Sequence, residues 1–277
     1  MSTGIGFGGL VFSPLIGGMV IPSMGWRAGY LGISVLITTL IPLILVVIKP
    51  GPLLQSGVST SHVTERYDAI GDGGVSASIN LRQVLLSGPF GLMACAYFLT
   101  QFGMVGALQS QVPYLQDIGF PVAAATGALG GVGLMSALGK LFFGWLCDRI
   151  NPKYAFSMGA FLMAVGAFLL MTIRPGSSLF LVWGYALTIG LGAGSWLPAM
   201  AMLVSGNFGM AFYGSIFGAV SMAAFIGSST GPLFAGLVFD MTQGYQWAFG
   251  IYFLMCLLAI PTMMAVKPVV QSGRSKI

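Results

Sequence analysis

Residues 122–173 read VAAATGALGGVGLMSALGKLFFGWLCDRINPKYAFSMGAFLMAVGAFLLMTI. Two apolar runs, about 122–146 and 154–173, flank a short turn that carries Asp148, Arg149 and Lys153. Each run matches the ~20 apolar residues that a helix needs to cross a bilayer. Strands that cross membranes are about half that length and alternate in polarity, so these runs read as helices. A helical hairpin through a membrane is therefore the unit from which the rest of the chain is read.

Six further runs of the same kind lie outward from this hairpin, at about 5–24, 28–48, 90–111, 179–203, 213–239 and 247–266. The expected fold class is an all-α membrane protein with eight transmembrane helices. Composition agrees. Only 6% of residues are charged, against about 25% in soluble domains, and mean hydropathy is +0.92. A soluble domain and a disordered chain are excluded. The net charge of +5 comes from scattered Lys and Arg with no cluster, so no nucleic-acid partner is expected. Cys95, Cys147 and Cys256 are far apart in apolar runs, and His62 is the sole histidine. No metal, cofactor or enzyme chemistry is expected from them. Gly4-x-Gly6-x-x-Gly9 matches a dinucleotide fingerprint, but no strand precedes it and no acidic residue follows at the required distance, so it reads as helix packing.

The one long connection is polar. It sets the expected boundaries: residues 1–48 as two spans, 49–87 as a central loop ending in a short interfacial helix near 79–86, 88–268 as six spans, and 269–277 as a tail. Lys49, Arg66, Arg82, Lys140, Arg149, Lys153, Lys267, Arg274 and Lys276 fall on one side, and Arg27 and Arg174 on the other. The positive-inside rule then puts the long loop and both termini in the cytoplasm, with a cell membrane (plasma or inner) as the expected location.

A repeat divides the chain further. Gly9-x-x-x-Ser13-Pro14-x-x-Gly17-Gly18 reappears as Gly227-x-x-x-Gly231-Pro232-x-x-Ala235-Gly236 at an offset of 218. Gly25-Trp26-Arg27-Ala28-Gly29-Tyr30 reappears as Gly244-Tyr245-Gln246-Trp247-Ala248-Phe249 at an offset of 219. The seventh run thus repeats the first. The unit has six spans, and the chain holds one complete six-helix half preceded by the last two helices of another. Four further N-terminal spans are expected to be missing, and the chain alone to be poorly stable or inactive. Repeated halves are a construction of secondary transporters.

The turn Gly144-x-Leu146-x-Asp148-Arg149-x-x-x-Lys153 resembles the G-x-L-x-D-R-x-x-x-[RK] signature loop of the major facilitator superfamily. The block from Gly9 through Pro14, Gly17 and Gly18 resembles that family's Gly-Pro motif, and Gly25-Trp26-Arg27 resembles its turn before the sixth span. The resemblance covers nearly the whole chain. It implies a transporter working by alternating access, with the signature turn as a cytoplasmic latch. Asn207-Phe208-Gly209, Tyr213-Gly214-Ser215 and Gly231-Pro232-Leu233 resemble the oxalate/formate and monocarboxylate porter branch, which implies a small organic anion as substrate. Members of that branch often carry a basic residue deep in the eighth or eleventh span. Here the corresponding late span has none, and Lys140 stands about two turns before Asp148.

Two groups of candidate residues follow. The gating group comprises Gly144, Asp148, Arg149 and Lys153 with the Gly-Pro residues Gly9, Pro14, Gly17, Gly18, Gly231 and Pro232; proline and glycine ease bending, and small residues permit close crossings. The substrate-path group comprises Tyr97 and Gln101 on one helix face, Tyr185, Thr188, Ser195 and Trp196 along another helix, and Lys140. Snorkelling to headgroups is the competing role for Lys140. The expected partners are a small-molecule substrate, a co-transported ion and the lipid bilayer. The rival reading is a non-transporting remnant, receptor or scaffold derived from a transporter.

Overall fold

A computed structural model describes residues 13–47, 84–210 and 212–267. Among them all regular structure is helical. Contacts divide the chain into two units, one of residues 20–83 and one of residues 1–19 with 84–277.

The first unit holds α1 (Ile21–Val47); the π-helical stretch Ser13–Val20 falls in the other unit except for Val20. Gly25 interrupts α1 with φ 80°, a left-handed conformation that glycine adopts without a Cβ clash. This is where the sequence places a turn between two spans. Beyond it, Ser34, Thr38 and Thr39 donate to the carbonyls four residues back, each at 2.8 Å. Their hydroxyls are thereby satisfied within the helix, as an apolar setting requires.

The larger unit holds α2 (Gly88–Asp117), α3 (Val122–Arg149), α4 (Pro152–Thr172), α5 (Leu179–Ala193), α6 (Trp196–Phe208), α7 (Tyr213–Thr242) and α8 (Gln246–Met264). The helix starts are local sequence effects. Pro89 and Pro152 occupy first-turn positions where no amide bond is lost. The side chains of Asn151 and Ser178 cap α4 and α5.

Among the described residues six segments are long and apolar enough to cross a membrane: α2, α3, α4, α5 with α6 (Leu179–Phe208), α7 and α8. They match the last six of the eight expected runs. The first expected run, 5–24, lies partly outside the described residues, the second, 28–48, falls in α1 and is not among the six, and the expected interfacial helix lies mostly outside the described residues.

The helices pack in a recurring pattern. α2 packs mainly on α7 and α8, α5 on α3 and α4, and α4 on α8. Exchanging the first three spans with the last three maps this pattern onto itself, as in an internal three-plus-three repeat. Lipid offers helices no hydrophobic reason to associate, so packing of small residues and interhelical hydrogen bonds must hold them. Both are present. Gly227 and Gly231 of α7 lie against the Phe98 and Phe102 carbonyls of α2. Three tyrosines clasp neighbouring elements: Tyr97 donates to the Trp196 carbonyl (3.2 Å), Tyr252 to that of Gly231 (2.6 Å), and Tyr114 to that of Ile173.

Candidate functional site

In the fourth span of the larger unit the helical hydrogen-bond ladder breaks between α5 and α6, while Gly194 (φ −69°, ψ −21°) and Ser195 (φ −76°, ψ −30°) keep right-handed helical dihedrals. Pro198 has no N–H to give the Gly194 carbonyl, and its ring crowds that carbonyl. The amides of Gly194 and Ser195 turn instead to the Leu191 and Gly192 carbonyls three residues back, each at 3.0 Å. The Ser195 hydroxyl donates to the Gly192 carbonyl at 2.8 Å, a back-bond that also bends helices.

Three helices meet backbone to backbone at this break. A Cβ on Gly194 would fall on Gly139 of α3 and lie 2.5 Å from the Lys140 amide nitrogen. A Cβ on Gly139 would lie 2.5 Å from the Leu191 carbonyl oxygen, and one on Gly192 would lie 2.6 Å from that of Gly159 in α4. Gly159 in turn faces the Ser195 side chain directly. From α2, the Tyr97 hydroxyl reaches the Trp196 carbonyl while its ring stands edge-on to Phe156, centroids 4.9 Å apart.

Of the substrate-path residues, Tyr97, Ser195, Trp196 and Lys140 are therefore brought to one place. Tyr97 and Ser195 are buried, and Trp196 and Lys140 are half-buried. Gln101 follows Tyr97 by one turn; it is buried, and its Oε1 has no partner among the described residues. Tyr185 and Thr188 stand nearer the Asp117 end. Tyr185 lies nine positions before Gly194, roughly 13 Å along the helix, inside the core with Leu115, Val132 and Leu170. Its hydroxyl has no partner among the described residues. The Thr188 hydroxyl is turned to the Gly184 and Tyr185 carbonyls of its own helix, at 2.9 and 3.0 Å.

The gating residues divide similarly. Asp148 and Arg149 belong to the last turn of α3, not to the connection, which is only Ile150 and Asn151. A cation there is favoured by the helix dipole, and the Arg149 guanidinium sits over the Trp145 ring at 4.8 Å. Asp148 is exposed, and the cap of the next helix is Asn151 rather than Asp148. A Cβ on Gly144 meets nothing within 4 Å, so no close helix approach occurs there among the described residues. Lys153 reaches across the bundle: its Nζ donates to the Val266 carbonyl just past the end of α8.

In α7, Gly231 makes a close crossing with α2, and its carbonyl also accepts the Tyr252 hydroxyl beside Pro232. Pro14, Gly17 and Gly18 fall in the π-helical stretch, and Gly9 lies outside the described residues. A groove of about 390 Å³ runs along α7 between Gly218 and Thr230. Its Ser229 and Thr230 hydroxyls bond their own helix, so it offers little polar recognition.

Sequence reading did not foresee this break between α5 and α6. The signal was present, since Pro198 stands four residues after Gly194. It also missed Tyr252, which looks like an ordinary aromatic residue in an apolar run.

A family model described as Major Facilitator Superfamily matches residues 1–232 of this chain, and again residues 93–276. A comparison with curated proteins finds no match.

Proposed function

The chain belongs to the major facilitator superfamily, whose members are secondary transporters and not enzymes, and from that premise we propose that it carries a small organic anion by alternating access. The integral multi-pass character follows from the six apolar helices and the family. The substrate class rests on one observation: the break between α5 and α6 lies against Gly139, and so beside Lys140. An interrupted spanning helix presents the positive end of its second half near the break, a recurring way for transporters to hold anionic groups. Lys140 adds a full charge at the same depth.

In this reading Lys140, Trp196 and Gln101 line the path. Lys140 meets a carboxylate, Trp196 offers an aromatic face, and Gln101 a hydrogen-bonding amide. Asp148, Arg149 and Lys153 form the closing end on the cytoplasmic side of a cell membrane, as the distribution of basic residues suggests. A co-transported ion balances the anion's charge.

Counterflow in proteoliposomes tests the transport reading. Labelled oxalate, formate and lactate are offered to vesicles preloaded with the same anion, with a neutral sugar as control. Exchange of an anion but not the sugar is expected. Sugar exchange would overturn the substrate class, and a folded protein with no counterflow of any solute would favour a non-transporting scaffold.

A further inference from the structure

The chemistry of the break leaves the direction of α6 open. Pro198 and the Gly194–Ser195 turn remove the continuous hydrogen-bond ladder, which permits bending but fixes no direction. Glycines on α3 and α4 let the backbones touch, and glycine has no side chain to resist sliding. The first directional contact from outside the broken span is the Tyr97 hydroxyl, which donates to the carbonyl of Trp196, the first residue of α6. Tyr97 is itself fixed: it is fully buried, and its ring is held edge-on by Phe156 of α4.

We propose that the α5–α6 break is a joint and that Tyr97 is its pin, setting the angle at which α6 leaves α5. Pro198 makes the joint and Tyr97 chooses its position. α6 runs from the break to Phe208 and is tied to α3, α4 and α7 by far less packing than α5 has. It can therefore swing as a rigid rod when the pin releases, carrying the Asn207–Gly209 end with it. Tyr97 is thus a positioning residue, and its hydroxyl is occupied by the backbone rather than by a solute. The joint stands whatever the protein carries, so failure of the anion reading leaves it intact.

The test is a distance distribution by double electron–electron resonance on the full chain in nanodiscs. Spin labels are placed at Gly91→Cys on α2 and Met202→Cys on α6, both exposed, with Cys95, Cys147 and Cys256 replaced by Ala. With Tyr97 intact, one narrow distribution is expected. Tyr97→Phe keeps the ring against Phe156 and removes only the pin, so the distribution should broaden at least twofold. Adding Pro198→Ala restores the backbone bond and should narrow it again at a displaced mean. Pro198→Ala alone should displace the mean whether or not Tyr97→Phe folds. A Tyr97→Phe distribution that superimposes on the parent, a width that Pro198→Ala does not narrow, or an unmoved mean in Pro198→Ala alone overturns the proposal.

Discussion

Gly139 of α3 and Gly194 at the end of α5 touch through their main chains, so that a methyl group on either meets the other helix's backbone. The contact fixes where the fourth span breaks and brings Lys140 to the break. Gly194→Ala and Gly139→Ala should each destabilise the bundle by about 1–3 kcal/mol, the usual cost of overpacking a tight site. Gly206→Ala, in open space on α6, should be neutral or slightly stabilising. Thermal unfolding followed by a thiol-reactive dye checks this, because Cys147 and Cys256 are buried until the helices separate.

The Tyr252 clasp on Gly231 is a hydrogen bond in a setting without competing water. Tyr252→Phe should cost about 0.6–1.7 kcal/mol, the range measured for interhelical bonds in membranes. Gly231→Ala should cost more, because its Cβ would strike the Phe102 carbonyl in α2. The same unfolding assay ranks the two. The reverse order would mean that the hydroxyl, not the close crossing, holds α7 to its neighbours.

Much of this architecture is legible in the sequence, and the reason is lipid. Spans announce themselves because every residue of 122–146 or 154–173 must be acceptable to hydrocarbon or buried in the bundle. The Asp148–Lys153 turn is legible because charge is so sparse. The break at Gly194–Ser195 was not legible. The run 179–203 is as apolar as its neighbours, and a kink depends on which carbonyl Pro198 deprives and which backbones approach it. Likewise the roles of Tyr97, Tyr185 and Thr188 could not be separated by helical spacing. Spacing places them on faces, but only packing shows that Tyr97 reaches another helix and Thr188 bonds its own.

Lys153 belongs to the signature turn, yet its ammonium binds the Val266 carbonyl at the far end of the bundle's last helix. A cation at a helix C-terminus satisfies carbonyls that have no partner within the helix. Lys153→Met should speed amide hydrogen exchange at residues 263–267 by several-fold and leave α2 unchanged. Lys153→Arg should restore most of the protection. Equal exchange in all three proteins would show that the tie does not persist in the membrane.

Tyr245, in the connection between α7 and α8, stacks on Phe239 at 4.7 Å. Burial first, then the Asp117 and Asp240 carboxylates, raise its phenol above the usual value near 10. A pKa raised by folding contributes stability that is complete below pH ~10 and lost as the pH rises through the folded value. Difference absorbance between the parent and Tyr245→Phe should therefore show a phenolate appearing above the usual pH. Asp240→Asn should bring it back down. A titration that Asp240→Asn leaves unchanged would mean that this carboxylate does not reach the ring.

In the proposed function Lys140, beside the Gly139–Gly194 contact, receives the carboxylate of a small organic anion. Equilibrium binding of labelled oxalate or lactate to the purified chain in nanodiscs tests this most directly, in the parent, Lys140→Arg and Lys140→Gln. Saturable binding is expected that unlabelled anion displaces and neutral sugar does not, retained in Lys140→Arg and weakened at least tenfold in Lys140→Gln. Binding that is equal in Lys140→Gln, or that sugar displaces, would contradict it.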